Sequence, residues 1–153
     1  MPDDAPCSIA RTLDVIGERW TLLILRDAFR GVRRFEDLQR DLGIARNILA
    51  DRLQKLVERG ILSRRPYQAR PVRYEYRLTP KGVDLSPALV ALMRWGDTWL
   101  ADDAGPPLVL AHKRCGEAVE LSVRCPRCDE AVPPAGLAGR PGPGARPTVA
   151  PAS

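Results

Sequence analysis

Two sets of residues in this 153-residue chain have the types and the spacing to do chemistry. The first is His112-x-x-Cys115-Gly116, then nine intervening residues after Cys115, then Cys125-Pro126-x-Cys128. Thiolates and an imidazole are soft or borderline donors. Two pairs of them, joined by a short β-prone link through Ala118, Val119, Leu121 and Val123, can close a tetrahedron around Zn²⁺. Such an ion holds together a segment too small for a core of its own. This is zinc-ribbon spacing, with His112, Cys115, Cys125 and Cys128 as ligands of a structural metal. Two other readings of the thiols stay open, a Cys125–Cys128 redox pair and free cysteines, although no thioredoxin-like βαβ pattern surrounds them.

The second set lies between Leu38 and Leu53, which reads as two short helices with a turn at Gly43, a helix-turn-helix. In that arrangement the second helix enters the major groove of DNA, and its N-terminal outward residues reach base edges. Here those residues are Ala45, Arg46, Asn47 and Arg52. Arginine can pair with guanine and asparagine with adenine. Lys55 and, further on, Arg64, Arg65, Arg70 and Arg73 suit phosphate or the minor groove. Asp51 is expected to orient Arg46 or Arg52.

These residues need a scaffold, and the apolar spacing supplies one. Ile9, Leu13 and Ile16 recur at helical spacing from Ser8 to Ile16, and Gly17 follows. Trp20 to Arg30, with Trp20, Leu23, Ile24 and Ala28 on one face and Gly31 as its stop, is expected to be the buried central helix. Phe35–Leu42 and Ala45–Arg59 follow, the latter with Leu49, Leu53, Leu56 and Val57 inward and Gly60 at its end. Arg64 to Tyr67, a loop tip of Gln68-Ala69-Arg70-Pro71, and Val72 to Leu78 with Tyr74, Tyr76 and Leu78 on one face make a hairpin with a positive tip. Thr79 is a good N-cap before Pro80, and apolar residues Leu85, Leu89, Leu92, Met93, Trp95 and Trp99 then run to about Ala101, with Pro87 bending or restarting the helix. This order is the winged-helix succession: a mainly α fold with a small β-hairpin. A last helix with two tryptophans beside a closed domain points to a homodimer, the alternative being packing on its own domain.

Lys and Arg total 24 against 19 Asp and Glu. Between Glu18 and Arg77 there are fifteen Lys/Arg and eight Asp/Glu, so the excess base sits on the module expected to bind double-stranded DNA. No apolar run approaches the roughly 20 residues needed to cross a bilayer. Asp3 and Asp4 stand where a secretory signal would carry positive charge, so the expected location is cytoplasmic, with no membrane partner. An enzyme is not expected. The chain has one histidine, no nucleophile with a partnered base and no Gly-rich phosphate loop, and the metal set is filled by protein ligands. The rival function keeps the fold and makes the protein an interaction adaptor, using the ribbon and the Trp-bearing helix. The expected layout is a winged helix-turn-helix over 1–104, the zinc-ribbon-like segment over 105–132, and a disordered Pro/Gly-rich tail over 133–153, whose Arg140 and Arg146 add at most weak electrostatic affinity.

The motifs Cys7-Ser8-Ile9-Ala10-Arg11-Thr12-Leu13, Gly17-Glu18-Arg19-Trp20-Thr21-Leu22-Leu23-Ile24-Leu25-Arg26-Asp27, Arg34-Phe35, Leu42-Gly43-Ile44-Ala45, Arg52-Leu53, Pro66-Tyr67, Tyr74 through Thr79, and Trp95-Gly96 resemble the signature of the HxlR family of bacterial winged-helix regulators, relatives of the MarR group. The resemblance spans roughly Cys7 to Leu100. It implies a dimeric DNA-binding transcription regulator, with the first and last helices at the dimer interface and the wing flanking the recognition helix. In several similar proteins the cysteine before the first helix senses oxidants or electrophiles, and Cys7 matches that position. A helix N-terminus and Arg11 one turn on would favour its thiolate, and a buried inert thiol is the other reading. In relatives with a similar cysteine-rich tail a histidine often follows the Cys-Gly pair, so Glu117 stands where a ligand could be expected and competes with His112 for the fourth place. The expected function is sequence-specific regulation by a homodimer on an inverted repeat, with repression favoured because it needs only promoter occupancy.

Overall fold

A computed structural model describes residues 7–145. The acidic Asp3 and Asp4 and the tail's Arg146 lie outside the described residues. Helices α1 (Ser8–Ile16), α2 (Arg19–Phe29), α3 (Phe35–Leu42) and α4 (Arg46–Glu58) precede a hairpin of β1 (Leu62–Ala69) and β2 (Val72–Leu78). Two further helices follow, α5 (Pro80–Val83) and α6 (Ser86–Trp99), and a 3-10 turn at Pro134–Gly136 comes later. The chain divides into two compact units, Arg11–Leu108 and a smaller one that comprises, among the described residues, 109–145 together with 7–10.

The larger unit closes around Ile24 and Leu25 of α2, Leu38 of α3, and Leu49, Leu53 and Leu56 of α4, all sealed from solvent. Full burial of each such side chain stabilises by about 1.5–3 kcal/mol. α2 is the central helix, packed against α3, α4, β2 and α6. Its buried face is shifted from the one the sequence suggests: Thr21, Ile24, Leu25 and Asp27 are buried, whereas Trp20, Leu23 and Ala28 are only partly so, because the helix is turned to present Ile24 and Leu25 to the core. Asp27, with no exposure at all, is held by Arg26 Nε at 2.8 Å and Arg30 Nη1 at 3.4 Å, which offsets the cost of burying a carboxylate.

Between α3 and α4, Gly43 adopts φ +60°, a left-handed conformation that costs glycine nothing, and its N–H donates to Gln39 O at 3.0 Å. Ile44 then turns inward to plug the angle between the two helices. Past the hairpin, Thr79 caps α5 by accepting from Gly82 N at 3.2 Å, while its own hydroxyl donates to Gly60 O at 2.6 Å. A Cβ at Gly82 would stand 2.3 Å from Ile61 O, so only glycine lets α5 press against the start of the hairpin. The break before Ser86 places Pro87 in the first turn of α6: the helix restarts rather than bends.

The hairpin is antiparallel, pairing Leu62 with Leu78 at its base and Ala69 with Val72 at its end. The tip is therefore Arg70-Pro71, shorter than the four-residue loop read from the sequence, because Gln68 and Ala69 continue the ladder opposite Arg73 and Val72. A bulge between Pro66 and Gln68 leaves Tyr67 without a partner in the register, next to a proline that has no N–H to give. Tyr76 N donates to Arg33 O at 2.8 Å, tying β2 to the segment before α3.

The smaller unit contains two tight turns, His112–Glu117 and Cys125–Glu130, each closed by a single antiparallel bridge, Ala111 with Ala118 and Arg124 with Ala131. None of its described apolar side chains is buried. Within the segment expected to be a disordered tail, residues 133–145 carry the 3-10 turn and a hydrogen bond from Ala145 N to Gly142 O at 3.0 Å.

Candidate nucleic-acid interface

Leu49, Leu53 and Leu56 fix α4 from its inner side, which leaves Arg46, Asn47, Ala50, Asp51, Gln54 and Lys55 exposed on the outer one. Ala45 stands at the N-cap with no side-chain hydrogen bond of its own, and Leu49 N donates to its carbonyl at 3.0 Å. Arg46, the first helical residue, lays its guanidinium over the Phe35 ring, 4.8 Å from the centroid. That contact holds the side chain at the start of α3 and α4 without using its N–H donors. Asn47 beside it is exposed.

Arg52 is placed differently from the expected base-reading set. Only 22% of its side chain is exposed; Nε lies 3.0 Å from Glu18 Oε2, an ionic contact without hydrogen-bond geometry, and Nη1 donates to Asp51 Oδ2 at 2.9 Å. Its charge is thus committed inside the protein, and we assign it to anchoring α4. Glu18 is the residue that sequence reasoning missed as part of this machinery. The same Oε2 accepts from Trp20 N at 3.0 Å and Thr21 N at 3.4 Å, capping α2, so one carboxylate ties the start of the central helix to the middle of the recognition helix. The available signal was an acidic residue between Gly17 and an apolar helical run. Asp51 orients Arg52, one of the two outcomes expected, and also holds Lys55 Nζ at 3.0 Å.

On the wing, Arg64, Arg65, Arg70 and Arg73 are all exposed. Arg64 stacks on Tyr74 at 3.6 Å, Arg65 pairs in register opposite Glu75, and Arg70 occupies the tip. Arg34, at the N-cap of α3, stacks on Tyr67 of β1 at 4.6 Å and adds an exposed cation that the sequence reading left out of the site. Tyr76, half-buried beneath this face, has its phenol pushed up by burial; Glu36 adds to that rise and Arg64 opposes it.

The expected metal ligands lie in the smaller unit as two assembled pairs. His112 Nδ1 is 3.1 Å from Cys115 Sγ. Cys125 receives the backbone N–H groups of Cys128 and Arg127 and the Cys128 thiol, which hold it below the usual thiol range. Among the described residues no three such side chains converge as a group able to hold a metal. Cys7 is an exposed free cysteine directly before α1.

A family model described as HxlR-like helix-turn-helix matches residues 15–104. The chain belongs to the HxlR family. Over 137 residues, 90% of this chain and 87% of the relative, it is 50% identical to the HTH-type transcriptional regulator Rv3095 of Mycobacterium tuberculosis. Among solved structures it resembles PA1607, described as a candidate transcription factor, with a TM-score of 0.82 and 39% identity over 90% of this chain and 96% of that one. It also resembles the redox regulator HypR in its oxidized form, with a TM-score of 0.56 and 32% identity over 60% of this chain and 96% of that one. This HxlR protein is a helix-turn-helix transcription regulator, and the exposed cations of α4 and the hairpin lie on the module by which such regulators bind DNA. No helix among its described residues is long and apolar enough to cross a membrane.

Proposed function

We propose that the protein acts as a homodimeric, sequence-specific repressor on an inverted repeat, each protomer placing α4 in a major groove, with half-sites about one helical turn apart or a small multiple of that. The observation that carries the reading is the exposure of Arg46 and Asn47 on the first turn of a helix whose opposite side is locked into the core. Arg46 reads guanine and Asn47 adenine. Lys55, Arg64, Arg65, Arg70 and Arg73 hold the phosphates, and Arg34 joins them.

Dimerisation through α6 is supported by its surface. α6 has no buried residue, its inner Leu89 touches the core, and Leu92, Trp95 and Trp99 stand 55%, 59% and 71% exposed at intervals of three and four, one stripe of the helix. A stripe with two open tryptophans is costly to leave in water and fits a second copy of itself. On α1, Ile9 and Leu13 are likewise exposed one turn apart. Redox control through Cys7 completes the proposal; its support is the exposure of the thiol and the likeness to HypR.

Selection of bound sequences from a random duplex library, with and without a mild thiol oxidant, tests this function. A palindromic consensus is expected, lost on oxidation in the native protein and retained in Cys7→Ser. Absence of any enriched sequence in either state overturns the DNA reading, and a consensus indifferent to oxidant overturns the role of Cys7.

A further inference from the structure

The two turns of the C-terminal unit are copies of one another at an interval of thirteen residues. Arg114-Cys115-Gly116-Glu117-Ala118-Val119 returns as Arg127-Cys128-Asp129-Glu130-Ala131-Val132. The backbone repeats with it. His112 N donates to Glu117 O at 2.8 Å, and Cys125 N to Glu130 O at 3.0 Å; Gly116 N donates to His112 O at 2.8 Å, and Asp129 N to Cys125 O at 2.9 Å. Val119 N to Leu110 O at 2.9 Å has its counterpart in Val132 N to Val123 O at 2.8 Å. Even the left-handed residue recurs, Gly116 at φ +80° and Asp129 at +53°, glycine and aspartate being among the residues that tolerate it.

This equivalence settles which residue matches which. His112 occupies the place of Cys125 and Cys115 that of Cys128, while Glu117 corresponds to Glu130, across the bridge, with its carbonyl engaged by His112 N. In each turn the two donor side chains are in contact: His112 Nδ1 with Cys115 Sγ in the first, the Cys125 and Cys128 thiols in the second. Two donors are half of a tetrahedral set, and as no three donors converge among the described residues, one shared ion has to draw the two pairs together. We propose that the two turns are matched knuckles that clasp one Zn²⁺ through His112, Cys115, Cys125 and Cys128, with Glu117 outside the coordination sphere. Four protein donors leave no open position for water, so the ion is structural. Binding displaces the thiol protons and joins the two knuckles, which the apolar residues of the segment do not do. The site is independent of the DNA reading, and failure of either leaves the other standing.

Metal analysis of the full chain, purified under reducing conditions, is expected to find a single zinc per chain. Exchange to Co²⁺ is expected to give the intense d–d and thiolate-to-cobalt bands of a tetrahedral centre with three sulfurs and one nitrogen. His112→Cys should retain the metal and move those bands toward an all-sulfur pattern, Cys128→Ser should lose it on dialysis, and Glu117→Gln should change nothing. Should a variant misfold, X-ray absorption at the zinc edge of the native protein reads the three-sulfur, one-nitrogen shell directly. Native protein that holds no metal, or a Cys125–Cys128 disulfide in its place, overturns the site. Bands that respond to Glu117→Gln and ignore His112→Cys overturn the ligand assignment.

Discussion

Between Arg11 and Leu108, the side chains of Ile24, Leu25, Leu49 and Leu53 have no exposure at all, whereas in the C-terminal unit Val119, Leu121 and Val123 remain 41–59% exposed. The first region offsets the entropy of ordering its chain by burying apolar surface. The second has no such interior among its described residues; its order is written in a repeated set of backbone hydrogen bonds around paired donor side chains. The two regions therefore ought to fail for different reasons. Loss of a methyl group matters where it leaves a cavity, and loss of a donor atom matters where the donor is the tie.

The sharpest way to break this contrast is Leu53→Ala, which opens a cavity under the recognition helix. It is expected to cost about 2–5 kcal/mol in chemical denaturation followed by helical circular dichroism; a loss under about 1 kcal/mol would mean that α4 is not held by its leucines. Next in size, Arg46→Ala should cost about 1–3 kcal/mol on the preferred DNA site with little change on unrelated duplex. Equal losses on both in a titration would make Arg46 a phosphate contact. Glu18→Ala removes the cap of α2 and the partner of Arg52 together, for an expected loss of about 0.5–2 kcal/mol of stability, measured by the midpoint of denaturation. Its DNA affinity should fall evenly across sequences, because the anchoring of the whole helix is loosened; a specific loss at one base position would point to a reading role for Arg52. At the small end, Val123→Ala should shift stability by no more than about 0.5 kcal/mol. A shift comparable to that of Leu53→Ala would reveal a hidden apolar core in the C-terminal unit.

Much of the fold is legible locally. The ranges of α1 and α3 coincide with those read from apolar spacing, and α4 begins one residue later, since Ala45 is its cap. The Thr79-Pro80 start also follows from residue chemistry alone, while at Pro87 the sequence left a bend or a restart open and the structure shows the restart. The wing is less legible at its end, where Gln68 and Ala69 read as turn residues and pair as strand. Charge is the hardest to place. Arg46 and Arg52 look alike on a helix drawn from sequence, and they differ because one meets an aromatic ring and the other a carboxylate from a distant segment.

By itself, the sequence determined the succession of helices and hairpin, the basic outer side of the recognition helix and the spacing of the metal-type donors, because glycine, proline and periodic apolar residues act within a few positions of themselves. Closure of the core is what locks Arg52 to Glu18, buries Asp27 with two arginines around it, and leaves Trp95 and Trp99 open. Those outcomes depend on which side chains meet after the core has closed, and contacts between segments far apart in the chain leave no periodic trace along it.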